Sequence, residues 1–313
     1  MQAIQVHQFG GPEQLKLEQT ECPQPQAGAV LVRIHAAGVL PADWKLRRGL
    51  FKDIVPVSFP YIPGSAFAGI VEEVGADVAD VRFGQAVFGR SSTGAYAEYV
   101  TASVETLALK PDRLSFDEAA TISGGATIAW TALFDRANGD FQPGQRVLIH
   151  GAAGGVGLFA VQFARWKGAH VIATASAGNL EFVRTLGAET VIDYAATPFE
   201  REARDVDLVL DTIGGETLHR SMNVVRPGGI VVSLLEQPSQ EDAKKRGIRA
   251  VKNSATLPYP SRDLLQTIAQ LMDEGQVKTV VGKTFPLPEA HLAHELSECG
   301  HGRGRIVLHI ADA

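Results

Sequence analysis

Apolar residues in the first hundred positions come in short runs separated by Gly and Pro, at 3–8, 30–37, 69–74, 85–88 and 96–101. Runs of that length between turn-forming residues predict strands. No helix-period segment of any length is expected before Ser115. There Ser115-Phe116-Asp117-Glu118 offers a hydroxyl N-cap followed by acidic residues, which predicts a helix leading through Ala119 and Ala120 to Ile122. A second helical run covers 127–136, after which Gly139 and Pro143-Gly144 announce a change of pattern.

From Arg146 apolar strands alternate with helices, the strands falling at 146–149, 170–175, 190–193, 207–211, 229–235 and 248–255, with a charged helix at 240–246 before the last. Such alternation implies a parallel sheet with helices on both faces. Beyond Pro258 and Pro260 the pattern predicts a helix at 261–274, a strand at 277–281, a helix at 287–298 and a strand at 305–310. These do not extend the six-strand count. They read as the chain returning to its first part, which gives 1–120 with 257–313 as one domain and 121–256 as the other.

The stretch Arg146-Val147-Leu148-Ile149-His150-Gly151-Ala152-Ala153-Gly154-Gly155-Val156-Gly157 carries the clearest chemistry. Its apolar start suits a central parallel strand, while Leu158, Val161, Gln162 and Arg165 begin an amphipathic helix. Glycines between the two let the backbone turn tightly and approach a pyrophosphate, which free amides and the positive end of the helix would receive. Ala152 stands where the first glycine of G-x-G-x-x-G would be, followed by Gly154 and Gly157; a phosphate-free turn is the competing reading.

The second strand ends in Thr174-Ala175-Ser176-Ala177-Gly178-Asn179, where an NAD-preferring site usually carries Asp or Glu for the ribose hydroxyls. No carboxylate is present. Thr174, Ser176 and Asn179 can instead donate hydrogen bonds to a 2′-phosphate, so NADPH is the expected cofactor. Arg184 either adds charge there or is solvated.

Composition narrows the rest. A chain of 313 residues with 45% hydrophobic and 20% charged residues is an ordinary globular protein long enough for two domains. Its net charge of −6 argues against nucleic acid as a partner. No apolar run approaches the roughly 20 residues of a membrane span, and no basic-then-apolar leader opens the chain, so a cytoplasmic location is expected. Cys22 and Cys299 stand far apart without metal-ligand spacing and read as reduced thiols.

The motifs in order are Gly38-Val39 with Asp43-Trp44-Lys45, Pro63-Gly64 with Ala68-Gly69, Gly94-Ala95-Tyr96-Ala97-Glu98-Tyr99, Ala129-Trp130, Pro143-Gly144, the turn at 151–157, Leu186-Gly187-Ala188, Val191-Ile192-Asp193-Tyr194 and Gly304-Arg305-Ile306-Val307. Together they resemble the medium-chain dehydrogenase/reductase superfamily over nearly the whole chain, and in particular its quinone oxidoreductase branch, typified by zeta-crystallin. The resemblance implies an α/β protein with a GroES-like β-rich catalytic domain plus a six-stranded doubly wound Rossmann domain. It also implies a homodimer, through the sheet edge near 248–255.

The resemblance places the zinc-ligand positions of the alcohol dehydrogenases on Leu40, Ser65 and Ala66, and their relay hydroxyl on Ala42. Leu, Ser and Ala do not make a zinc site, so no metal is expected. It therefore implies hydride transfer from NADPH to a hydrophobic quinone or α,β-unsaturated carbonyl, held in a cleft between the domains. Where the branch often has Asn, Asp and Thr, this chain has Leu40, Ala66 and Ile128, which makes the pocket apolar.

Pocket candidates are Leu40, Trp44, Ser65 and Ile128, with Trp44 equally readable as packing. Asp43, Lys45 and Thr127 are the catalytic candidates, against a turn carboxylate, a surface lysine and a structural helix threonine. Cofactor candidates are Ala152, Gly154, Gly155, Val156, Gly157, Thr174, Ser176, Asn179, Tyr194, Ile213, Leu234, Leu235 and Arg305; Arg303 and Arg305 also read as a charged surface turn. Tyr96 and Tyr99 are expected to support the cleft, and His291, His294 and His301 to be solvated. Two alternatives stand beside the reductase. One is an enoyl-thioester reductase using Arg47, Arg48 and Lys52 for a carrier phosphate; the other is a catalytically silent NADPH-binding interaction protein.

Overall fold

The computed structural model describes residues 1–136, 142–253, 259–300 and 302–312. Gly139, Pro258, His301 and the end of the strand expected at 248–255 lie outside the described residues. The chain divides into two compact units, Met1–Thr127 with Tyr259–Gly275 and Thr279–Ala313, and Ile128–Pro258 with Gln276–Lys278. Residues 121–127, which the sequence pattern assigns to the nucleotide-binding part, sit in the first unit. There the Ser123 hydroxyl donates to Gly89 O at 2.8 Å, and the Gly124 backbone packs against Leu40.

The first unit is built from β1 (Gln2–Gln5), β2 (Lys16–Gln19), β3 (Ala29–Val39), α1 (Pro41–Arg47), β4 (Ala66–Val74), β5 (Ala86–Arg90), β6 (Tyr99–Ser103), β7 (Leu107–Leu109) and α2 (Phe116–Ala119). α1 is a helix where only strands are expected. Its seven residues are too few to show a helical period, but Pro41 at its start and Asp43 bonding back to the Leu40 amide at 2.8 Å make a capped first turn. α2 begins as expected, with Ser115 and Glu118 capping each other.

The second unit begins within α3 (Thr127–Trp130), which is flanked by wide i→i+5 turns at 122–126 and 131–135, and continues through β8 (Arg146–Ile149), α4 (Gly157–Trp166), β9 (His170–Ala175), α5 (Leu180–Thr185), β10 (Thr190–Asp193), β11 (Val206–Asp211), α6 (Gly215–Ser221), β12 (Val225–Ser233), α7 (Gln240–Arg246) and β13 (Arg249–Lys252). The chain then returns to the first unit as α8 (Arg262–Asp273), β14 (Val281–Pro286), α9 (Ala290–Glu298) and β15 (Arg305–His309). The strand expected at 277–281 forms later, at β14, where Thr284, Phe285 and Pro286 pair in parallel with Val307, Leu308 and His309.

Among the described residues the sheet of the first unit has the order β14-β15-β3-β4-β5-β7, with β6 also on β3. Its core includes Ile4, Val32, Ile34, Phe67, Val87, Tyr96, Leu107 and Leu308. The second unit carries a six-stranded sheet of order β10-β9-β8-β11-β12-β13, parallel at every pairing. Numbered within the unit this is 3-2-1-4-5-6, the doubly wound order whose direction reverses between β8 and β11. Ligands bind at that switch point, beyond the carboxyl ends of the strands. α4 is less amphipathic than expected: Leu158, Val161 and Gln162 are all buried, and Arg165 is exposed. The Gln162 amide is satisfied by accepting from Lys278 N and donating to Lys278 O, both at 2.8 Å.

Candidate active site

At the switch point the chain leaves β8 through Gly151, whose φ of 68° lies in the left-handed region. A Cβ on Gly151 would stand 2.3 Å from the Thr212 hydroxyl at the end of β11. The tight turn expected of the first motif glycine is thus made one residue early, which explains why Ala152 is tolerated. Gly157 opens α4 against the same turn, and a Cβ there would stand 2.3 Å from Gly151 O and 2.7 Å from Ala152 Cα. Only glycine lets the helix start this close to the strand.

Between these two glycines the amides of Gly155, Val156 and Gly157 have no acceptor among the described residues, whereas Gly154 N donates to Gly151 O and Leu158 N to Gly154 O, both at 3.0 Å. Three successive unpaired donors at the start of a ten-residue helix fit a pyrophosphate. The residues present therefore suit a dinucleotide.

At the end of β9, Ser176 is half-buried and accepts from Asn179 Nδ2 at 3.1 Å. The β9–β10 register places Asp193 opposite Ala175, so Tyr194, 56% exposed, follows beside Ser176. Thr174 departs from expectation. It is buried, its hydroxyl 3.0 Å from His150 Nδ1, and His150 Nε2 in turn lies 2.9 Å from the Ser221 hydroxyl. Because Ser221 donates to Thr217 O at 2.6 Å, His150 donates through Nε2 and accepts from Thr174. Burial holds His150 neutral, pulled down to about 4. Arg184 is exposed and pairs with Glu181 at 3.3 Å on α5.

Asp211, fully buried at the end of β11, is a further candidate not singled out in the sequence reading. Its carboxylate accepts from Ile213 N at 3.1 Å, from Gly214 N at 3.0 Å and from the Ser233 hydroxyl at 3.2 Å, and its carbonyl from Leu234 N at 2.9 Å. It ties the ends of β11 and β12 together. Burial raises its pKa, opposed by those amides and that hydroxyl. Ile213 and Leu235 project beside it, 52% and 43% exposed. An acidic residue closing an apolar strand ahead of Thr-Ile-Gly-Gly is the signal that marks it.

The first unit holds a second polar cluster. Arg47, 0% exposed, pairs with Glu298, and its Nε donates to His294 Nδ1 at 3.2 Å. That bond leaves the His294 proton on Nε2, which donates to the Tyr96 oxygen at 3.2 Å, and Tyr96 O–H donates to Asp43 Oδ2 at 3.1 Å. Every donor in the chain points toward Asp43. Burial raises the Asp43 carboxyl to about 6 despite the Leu40 amide, Tyr96, Arg90 and Arg305. Burial, helped by Arg47, pulls His294 down to about 3.

Two expectations, a solvated His294 and an accessible Arg47, are corrected by this cluster, and several other candidates are placed by it. Asp43 is an interior helix-capping carboxylate, His294 is fully buried, and Tyr96 is a core residue of the first unit. Arg47 is likewise interior, leaving Arg48 and Lys52 as the exposed members of the basic patch, with Arg48 paired to Glu298. Arg305 also lies in the first unit, buried, with Nη2 3.4 Å from Val39 O. Thr127 is buried and donates to Ser123 O at 2.8 Å, the structural helix threonine. Lys45 Nζ stands 5.5 Å from the Trp44 ring centroid on α1. Ile128 is half-buried in the second unit, its carbonyl 3.4 Å from Asn253 Nδ2.

The positions that would ligate zinc do not suit a metal. Leu40 packs against Gly124, the Ser65 hydroxyl accepts from Arg90 Nη2 at 2.9 Å, and Ala66 opens β4. No group of three or more His, Cys, Asp or Glu able to hold a metal occurs among the described residues. Nor is any described helix long and apolar enough to cross a membrane.

The raised Asp43 pKa has a definite sign in stability. The folded state holds this proton more tightly than the unfolded chain, so the contribution is present below the ordinary carboxylate range and is lost as pH rises through about 6. Wild type is therefore expected to gain stability relative to Asp43→Asn as pH falls from about 7.5 to about 5. Urea unfolding of both proteins at both pH values checks this; a difference that stays flat or shrinks on acidification contradicts it.

Comparison with known proteins adds the family context. Residues 26–112 match the alcohol dehydrogenase GroES-like domain, and residues 186–308 match a family described as zinc-binding dehydrogenase. The second match does not include Leu40, Ser65 or Ala66. The quinone oxidoreductase of Mus musculus is 34% identical, over 98% of this chain and 97% of its own. Among solved structures, the quinone oxidoreductase from Coxiella burnetii is 36% identical with a TM-score of 0.89, covering 99% of both chains. The CurK enoyl reductase is 27% identical with the same TM-score of 0.89, again over 99% of both.

Proposed function

This chain belongs to the medium-chain dehydrogenase/reductase superfamily and to its quinone oxidoreductase branch, and on that premise we propose that it reduces a hydrophobic quinone or α,β-unsaturated carbonyl with NADPH and no metal. The observation that carries the reading is the pairing of unpaired amides at Gly155, Val156 and Gly157 with a β9 end that holds Ser176 and Asn179 and no carboxylate. When bound, the reduced nicotinamide supplies a hydride.

The protein's own share is binding and placement. Gly154 lets the pyrophosphate approach the three amides, Ser176, Asn179 and Tyr194 receive the 2′-phosphate, and Asp211 holds the turn at Ile213 and the Leu234–Leu235 end for the nicotinamide side. Leu40, Trp44 and Ser65 of the first unit supply pocket walls, and the large apolar side chains of Leu40 and Trp44 exclude water. An enone gains a C–H bond at its β-carbon as its double-bond electrons shift toward the carbonyl oxygen, and a proton from water completes the product. An acceptor already polarised in this way gains most from orientation. Asp43 acts as a positioning residue for α1, which carries Trp44 and Lys45.

The test is NADPH oxidation with a panel of quinones and enones before and after treatment with EDTA. Turnover unaffected by the chelator is expected. Tight NADPH binding without turnover on any acceptor would instead favour a silent binding protein. Likeness to the CurK enoyl reductase supports a thioester reductase as the second reading, but with Arg47 interior the basic patch for a carrier phosphate shrinks to Arg48 and Lys52. We further propose a cytoplasmic homodimer joined through β13, the strand at the edge of the second unit's sheet.

A further inference from the structure

Two arginines of the first unit, Arg305 buried and Arg90 half-buried, have no ion-pair partner among the described residues. Arg90, at the end of β5, donates Nη2 to the Ser65 hydroxyl at 2.9 Å and lies with its guanidinium 4.6 Å from the ring centroid of Tyr259. Its Nε is buried and has no hydrogen-bond partner. Arg305 is 4% exposed, and its Nε is likewise unpartnered. Among the described residues neither has a carboxylate within 4.0 Å.

Asp43 is the one carboxylate that interacts electrostatically with both. Tyr96 and Tyr61 also face that carboxylate, and both phenols are held protonated by burial and by Asp43. Two guanidinium charges against one carboxylate leave an uncompensated positive charge in a partly dry setting. Burial pulls both arginines down, Arg305 to about 10, and a guanidinium in a protein stays charged at neutral pH. A buried charge without a counter-ion is unfavourable, and an anion from outside would relieve it.

We propose that Arg90, steadied by Ser65 and the Tyr259 ring, is a specificity-determining residue that binds a carboxylate carried by the acceptor. The inference rests on the reductase reading above and names its substrate class: enones or quinones bearing an acid group. Ser65 belongs to the expected pocket, so a side chain bonded to it reaches the same place. Arg90 is only half-buried and Tyr259 is 37% exposed, so this side of the unit is approachable from solvent. An aromatic face against one side of a guanidinium fixes its plane, which favours two parallel N–H···O bonds to a carboxylate. A lysine would give charge without that fork.

The test compares 4-oxopent-2-enoate with its methyl ester as acceptors, in wild type, Arg90→Leu and Arg90→Lys. Wild type is expected to favour the acid by about tenfold or more in kcat/KM, a ratio that falls to about one in Arg90→Leu and to an intermediate value in Arg90→Lys, since a charged bidentate contact is typically worth more than a factor of ten. Because the readout is the ratio of two acceptors on one protein, a general loss of folding or activity cancels.

Calorimetry with 4-oxopentanoate and its methyl ester measures the same preference without turnover. If no acceptor is reduced but wild type still binds the acid more tightly than the ester and Arg90→Leu does not, the reductase reading fails and the anion site stands. A wild-type ratio of one or below, or a ratio that Arg90→Leu leaves unchanged, overturns the proposal. So does an Arg90→Leu protein whose only defect is weaker NADPH binding, which would give the charge to a cofactor phosphate.

Discussion

Gly154→Ala is expected to weaken NADPH binding by at least about a hundredfold, equivalent to about 3 kcal/mol, while the melting temperature moves by no more than about 2 °C. The physical reason is that Gly154 is not in the left-handed region, and a Cβ there meets only Gly151 O at 3.3 Å, so the folded chain accommodates it. The added methyl group instead occupies the approach to the amides of Gly155, Val156 and Gly157. Gly157→Ala separates the two effects. Its Cβ would fall 2.3 Å from Gly151 O and 2.7 Å from Ala152 Cα, both backbone atoms, so β8 and α4 must move apart. That variant is expected to lose about 1–3 kcal/mol of stability as well as affinity. Fluorescence titration with NADPH and thermal melting of the two variants check the pair. Unchanged affinity in Gly154→Ala would remove the pyrophosphate from this turn.

Ser176→Asp is expected to reverse the coenzyme preference. With Ser176 at the end of β9 and Asn179 bonded to it, wild type has polar side chains and no carboxylate on 174–179, the place proposed for the adenosine ribose. A carboxylate at that point would stand close to a 2′-phosphate, and two like charges about 4 Å apart repel by about 4 kcal/mol at an effective dielectric of about 20. The same carboxylate accepts from the ribose hydroxyls of NADH. After screening, kcat/KM for NADPH should fall by about a hundredfold while that for NADH rises, measured with a single acceptor. Equal losses with both coenzymes would mean that Ser176 does not face the 2′ position.

Much of the second unit was legible because parallel strands buried on both faces read as unbroken apolar runs, and the starts of α4, α6 and α7 carry a glycine or a serine cap. The alternation predicts a parallel sheet with helices on both faces, while the doubly wound Rossmann arrangement is what the family resemblance implies. α1 was not legible: seven residues show no period, and its cap is made by Leu40 and Asp43 rather than by a hydroxyl residue. The strand expected at 277–281 slipped to Val281–Pro286, since β14 is half exposed and gives only a weak apolar pattern.

Site residues divided along the same physical line. Backbone sites such as Gly154 and Gly157 follow from local spacing, whereas Arg47, Tyr96, His294 and Glu298 meet only through tertiary packing, across separations as long as 251 residues. No sequence pattern marks His294 as interior, because its partner Arg47 lies 247 residues away. Thr174 misled for a related reason: a hydroxyl at a strand end faces either the ligand or the core, and here His150 claims it.

The most direct measurement combines metal analysis of the purified protein with NADPH oxidation in the presence of a quinone, before and after dialysis against EDTA. Metal-free protein that consumes NADPH at an undiminished rate, one equivalent for each quinone reduced, is the predicted result. Activity that disappears with the chelator and returns with stoichiometric zinc would contradict it.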